Sequence, residues 1–223
     1  MAVLQSQLDT RSEQFRQNKE EMTAKLEQMD ELYAEAAQGG GAEALERLAK
    51  RNKMPIRERI AWALDPDSPF LEISPLAAWR SHVAIGSGFV VGVGVIEGVE
   101  CVILGHDPSV RAGAFNHFNS KKLMRGLEVA RENRLPYVQF VESAGADLRG
   151  GGGGGGGGTP VDPLLRVEGH FAESGRLFYE ITELSKMRIP TISLVFGAST
   201  AGGAYQPGMS DYNIFVKNQA MVS

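Results

Sequence analysis

The chain has 223 residues, 43% of them hydrophobic, and a formal charge of −4 at pH 7. That length and apolar content suffice for one well-buried core. The acidic balance offers no basic face to nucleic acid, and no apolar run approaches the roughly 20 residues of a membrane span.

Cys101 is the only cysteine, so a disulfide framework within the chain is excluded and the residue reads as a buried structural thiol. The N-terminus lacks the basic start and apolar core of a secretory signal, and its mixture of Glu and Lys argues against a transit peptide. A cytoplasmic location is the expectation, with neither a nucleic acid nor a membrane as partner.

Residues 5–37 contain neither Gly nor Pro, and Leu8, Phe15, Met22, Leu26, Met29 and Tyr33 recur at spacings of three, four or seven. The pattern predicts one long helix with a narrow apolar seam, packed on its own subunit or on a neighbour. Gly39–Gly41 end it. Two shorter helices follow, over residues 42–51 and from about Pro55 through Arg57, Ile60 and Leu64, before the turn "DPDSP" at residues 65–69. Between Ser87 and Asp107, two runs rich in Val, Ile and Gly flank Glu97 and Gly98, the pattern of an antiparallel hairpin with a tight turn.

A helix is predicted over residues 118–133, with Lys121, Lys122 and Arg125 on its polar side. A short strand, residues 137–141, then breaks into the small residues of "SAGAD" at 143–147. Another helix is expected over residues 167–186 and a strand over 191–196. The strand runs into "GASTAGGAYQPG" at 197–208, followed by a helix and a strand over 212–216. Alternation of this kind predicts an α/β fold, a sheet covered by helices. Residues 150–158 are unbroken glycine, which cannot pack, and glycine there reads as standing in for other residues. The end of the sequence, still alternating, reads as a piece of something longer.

The two loops rich in small residues are the candidate site. Each follows an apolar strand and replaces bulky side chains with Ala and Gly, leaving backbone N–H groups open to a ligand. One loop gives one donor; two neighbouring loops give the pair that holds a developing oxyanion. The histidines His82, His106, His117 and His170 show no metal-ligand spacing, so no metal is expected. "GFVVGVG" lies within strand alternation and opens no helix, which sets aside a dinucleotide loop.

"ESAGADL" and "GASTAGGAY" resemble the two oxyanion-hole loops of the crotonase superfamily, whose members bind acyl-CoA thioesters. Further motifs narrow the resemblance: "MPIRERIAWALDPDSPFLEI", the hairpin "GFVVGVGVIEGVECVILGHDPSVRAGAF", "NSKK" and "RIPTISLVFGASTAGGAYQPGMSD". Taken in order after the long helix, they resemble carboxyltransferase beta subunits of biotin-dependent acyl-CoA carboxylases.

The resemblance implies a crotonase-like domain over residues 54–223, preceded by a helical segment over 1–53 and cut before a second domain. It also implies an oxyanion hole from the N–H groups near Gly145 and Ala146 and near Gly202 and Gly203, without deciding which member of each pair donates. Ser143, Ala144, Ala201 and Tyr205 would contact the substrate, a coenzyme A thioester; Lys121 and Lys122, with Arg125, would attract its phosphates by their charge or else form a solvated helix face. Biotin would arrive carboxylated on a separate carrier, since no lysine flanked by methionines occurs here. A biotin carboxylase or biotin carrier subunit and further carboxyltransferase subunits, arranged as a hexamer, are the implied partners.

Two enzymatic alternatives remain, an enoyl-CoA hydratase-like activity and an acyl-CoA decarboxylase; a third reading is a noncatalytic assembly subunit with the same fold. Hydration is disfavoured at Gln206, three residues after Gly203, where hydratases carry a catalytic glutamate and an amide can neither give nor take a proton at neutral pH. "LEISPLAAW" and "TAGGAYQP" are more similar to the methylcrotonoyl-type branch than to the propionyl type.

Overall fold

The computed structural model describes residues 5–147 and 171–223. The polyglycine run, His170 and the expected helix start at 167 lie outside them. Three helices open the chain: α1 (Glu13–Ala37), α2 (Ala42–Ala49) and α3 (Ile56–Ala63). Helix α1 starts later than its Gly- and Pro-free composition predicts, because the Ser12 hydroxyl accepts the Phe15 N–H at 3.2 Å and sets the N-cap. Of the two expected packings, the seam does not take the one on its own subunit. Only Ala36 of α1 is buried, while Met22, Leu26, Met29 and Tyr33 remain exposed among the described residues.

A seven-stranded sheet forms the body, with path β1-β2-β3-β4-β5-β6 and β7 paired beside β6 on β5. The strands are β1 (Leu71–Glu72), β2 (Phe89–Ile96), β3 (Val99–His106), β4 (Tyr137–Ser143), β5 (Thr191–Ser199), β6 (Tyr212–Phe215) and β7 (Met221–Val222). Strands β1 to β3 pair antiparallel, and β3 to β7 pair parallel. The β2–β3 hairpin turns where the sequence predicts, at Glu97 and Gly98, with φ of 50° and 73°. Two successive positive φ values fit the twist of the flanking strands. Asp65 fastens the turn, its carboxylate accepting both N–H groups at 2.7 and 2.8 Å.

Helices cover both sheet faces. On one side, α4 (His117–Asn133) and α5 (Phe171–Lys186) bury Leu123, Leu127, Ala130, Leu177, Ile181 and Leu184 against Val91, Val102, Leu104 and Tyr137. On the other, α3 packs Ile56 and Ile60 against Val90, Cys101, Ile103, Val138 and Phe140. Cys101 is free and buried, and burial raises its thiol pKa. The expected helix after β5 is a 3-10 turn over Ala201–Ala204 followed by a single α-helical turn, α6 (Tyr205–Gly208). Among the described residues no helix is long and apolar enough to cross a membrane.

Candidate functional site

Because β4 and β5 are adjacent and parallel, their C-terminal ends lie at the same edge of the sheet. The two loops rich in small residues therefore meet. The Thr200 N–H donates to the Ser143 carbonyl at 3.1 Å, continuing the ladder past the irregularity between Val141 and Ser143. Strand β5 runs three residues further than its apolar stretch predicts, because Ser199 still pairs with Ser143; within that extension a Cβ at Gly197 would fall 2.6 Å from the Glu142 carboxylate, so glycine is needed there.

The first loop turns at Gly145, with φ of +86°. A Cβ at this position would stand 3.2 Å from the Thr200 carbonyl oxygen, so both the left-handed backbone and the neighbouring loop demand glycine. Phe115 holds the loop from the side. Its N–H donates to the Gly145 carbonyl and its carbonyl accepts the Asp147 N–H, each at 2.8 Å. The Asp147 carboxylate pairs with Arg111. The Ala144 N–H donates to Ala112 at 3.1 Å.

Within each loop the structure separates the two small residues that the sequence leaves equivalent. The Gly145 N–H donates to the Ser143 hydroxyl at 3.1 Å, and the Gly203 N–H to the Thr200 carbonyl at 3.0 Å. The Ser199 hydroxyl donates to the Gly203 carbonyl at 2.8 Å. The N–H groups of Ala146 and Gly202 have no acceptor among the described residues, and both residues are exposed. A Cβ on Gly202 would meet none of the described residues outside its own turn within 4 Å.

The expected substrate contacts fall in different places. Ala144, Ala201 and Tyr205 are exposed at the loops, the Tyr205 ring lying 4.8 Å from that of Phe178. Ser143 is buried, its hydroxyl occupied by Gly145. Lys121 is exposed on α4. Lys122 is not on the polar side of that helix: it is buried, and its ammonium donates to the Phe89 carbonyl at 2.8 Å and to Glu72 at 3.4 Å. Burial lowers its pKa to about 8. Its ammonium is thus engaged inside the fold, not on the solvent face of α4 where the sequence reading set it beside Lys121 as a substrate contact.

Gln206 is also buried. Its amide donates to Gln139 Oε1 at 2.8 Å, and the Gln139 amide donates to Ser193 and Ser210, each at 3.0 Å. The side chain at the hydratase glutamate position thus points into a polar knot between the strands.

Several elements of the site have no local signal in the sequence. The Glu142 carboxylate pairs with Lys53 and with Arg59, the latter at 2.9 Å. His106 lies fully buried at the end of β3, its ring 4.5 Å from Phe89 and 5.4 Å from Phe115. Its Nδ1 accepts the Glu142 N–H at 3.4 Å. The one visible hint was a glutamate closing the apolar strand "VQFVES".

Comparison with known proteins agrees with this geometry. Residues 47–223 match the carboxyl transferase domain, and the chain belongs to that family. It is 42% identical over 220 residues to the probable biotin-dependent acyl-coenzyme A carboxylase beta2 subunit of Mycobacterium tuberculosis, covering 99% of this chain and 39% of that protein. The probable mitochondrial methylcrotonoyl-CoA carboxylase beta chain of Drosophila melanogaster is 38% identical, over 99% of this chain and 36% of that protein. The crystal structure of the P. aeruginosa geranyl-CoA carboxylase beta subunit superposes with a TM-score of 0.84 at 37% identity, covering 98% of this chain and 39% of that one. The fold is thus the crotonase-like fold of carboxyltransferases. The chain spans 36 to 39% of the length of these relatives.

Proposed function

We propose that this chain is the thioester-binding portion of a carboxyltransferase subunit, and that it places an acyl-CoA for carboxylation by carboxybiotin. The observation that carries the reading is the pair of N–H groups, on Ala146 and Gly202, left without an acceptor among the described residues on neighbouring loops. Two such donors aimed at a thioester oxygen hold the negative charge that collects there as the acyl group becomes an enolate, a contribution of several kcal/mol per site of this kind. Carboxybiotin, as second substrate on a separate carrier, would supply the carboxyl group.

The residues of this chain bind and orient. Tyr205 and Ala201 would flank the thioester, and Lys121 would face the coenzyme A phosphates. Gln206, enclosed with Gln139, handles no proton, which speaks against hydration. Relatives named for methylcrotonoyl-CoA and geranyl-CoA favour a branched, unsaturated acyl group. For such a substrate the enolate extends along the double bond, so carboxylation falls on the γ-carbon while the thioester oxygen keeps the charge. A biotin carboxylase or carrier subunit, a second carboxyltransferase domain and further copies in a hexamer would complete the assembly.

Carboxylation by the complete subunit with its biotin-bearing partner, in the wild type and two glycine variants, tests this reading. Gly202→Ala adds a methyl that meets none of the described residues outside its own turn within 4 Å, so the melting temperature should hold while transfer to 3-methylcrotonyl-CoA falls at least tenfold, the scale of a disturbed oxyanion donor. Gly145→Ala should lower both, because its φ of +86° strains any other residue. If Gly202→Ala leaves transfer intact, or the wild type binds no acyl-CoA, the reading is wrong.

A further inference from the structure

We infer that Glu142, gripped by Lys53 and Arg59, is a positioning residue that fixes the first donor loop. The inference rests on the functional reading above. Glu142 is the penultimate residue of β4, and Ala146 follows four positions later.

Every part of Glu142 is engaged. Its N–H meets His106 Nδ1 at 3.4 Å. A side chain at Gly113 would collide with its carbonyl, and one at Gly197 with its carboxylate. Oε1 accepts the Lys53 ammonium, and Oε2 accepts the Arg59 guanidinium at 2.9 Å. The Arg59 guanidinium in turn lies 4.6 Å from the centre of the Phe196 ring on β5. Lys53 comes from the connection between α2 and α3, 89 positions before Glu142.

Stability is a poor reason for such a cluster. Two or three charges taken out of water lose much of their solvation, and well-packed apolar residues of similar size often hold a fold as well or better. What charge-assisted hydrogen bonds supply is direction. Here two cations, Arg59 from α3 and Lys53 from the connection before it, hold the carboxylate while Gly197 and Gly113 let β5 and the Arg111–Gly113 turn close in around it. The strand end cannot rotate, and the loop beyond it presents the Ala146 N–H in one orientation. Lys53 and Arg59 thereby make the geometry of the donor loop depend on the helices before the sheet.

The test uses the complete subunit with its partners and reads turnover, KM for the acyl-CoA, melting temperature and amide exchange at residues 144–147. Glu142→Gln keeps the shape and leaves both cations facing a neutral group. Lys53→Met is milder, since the Lys53 side chain is 18% exposed and the Arg59 bond survives. Both variants should lower kcat, Glu142→Gln by about tenfold to a hundredfold, with KM little changed and faster exchange in the loop. Lys53→Arg, which keeps the cation, should restore wild-type turnover.

Unchanged kcat per folded site in Lys53→Met and Glu142→Gln, with only the melting temperature lowered, would overturn the inference. Where Glu142→Gln fails to assemble, Lys53→Met against Lys53→Arg decides alone. A wild type that carboxylates nothing would instead defeat the functional reading, and loop exchange in Lys53→Met would still test the clamp.

Discussion

The His106 imidazole stacks on Phe89 and meets Phe115 edge-on, the three rings packing as a triangle, and desolvation lowers its pKa from 6.5 to about 3. The unfolded chain titrates near 6.5 and the folded one near 3, so between those values the unfolded state binds the extra proton. Stability should therefore fall as pH falls through that window, by up to about 1.4 kcal/mol per pH unit from this residue. Urea unfolding at several pH values between 7 and 4 measures the slope, which His106→Asn should flatten even where it lowers stability throughout.

Lys122 teaches a different lesson at this scale. Residues 119, 122, 123, 126, 127 and 130 form the buried stripe of α4, the spacing a helix of 3.6 residues per turn imposes. The stripe was legible, but a lysine in it was read by its charge. Its compensating partner, Glu72, arrives from β1 and is already held by Arg57 at 2.7 and 3.0 Å, a contact no local pattern announces.

Among the elements, those set by short-range chemistry were legible and those set by tertiary pairing were not. The β2–β3 hairpin follows from its turn residues and α4 from its periodicity, reinforced by a capping box between Asn116 and Asn119. The two-residue strands β1 and β7 carry too little pattern to detect, and β5 outruns its apolar stretch because Ser199 pairs with Ser143 of β4. The candidate loops stood out by their small residues. Which N–H each loop leaves open depended on Ser143 and Thr200, whose contacts only the fold reveals.

Gln206 belongs to this level as well, since its amide ties α6 to β4. Gln206→Glu would set a carboxylate against Gln139 Oε1, where the amide now donates at 2.8 Å. It should destabilise the fold by about 1–3 kcal/mol or more and should not create hydration of crotonyl-CoA. Appearance of hydratase activity would mean that this side chain reaches the substrate.

Seen whole, the molecule joins α3 and the connection before it to the sheet through buried and half-buried ion pairs as well as through apolar packing: Arg57 to Glu72, and Lys53 and Arg59 to Glu142. The sequence marked residues 1–53 as helical and separate in pattern, and α/β alternation was plain after residue 87. The order of strands and the meeting of loops 54 residues apart, at Gly145 and Ser199, arise from parallel pairing. Such pairing has a helix between its strands and leaves no mark at the strands themselves.

At the outer margin of the sheet, β6 exposes all four of its residues, Tyr212, Ile214 and Phe215 among them. An outer strand with bulky apolar groups and unsatisfied backbone is adhesive toward other chains. Handled in the test tube by itself, this polypeptide should be sticky: light scattering should rise with concentration, and Ile214→Lys, a charge planted in the strand, should keep it clear. Any preparation of this portion on its own would need that margin sheathed before its chemistry could be studied.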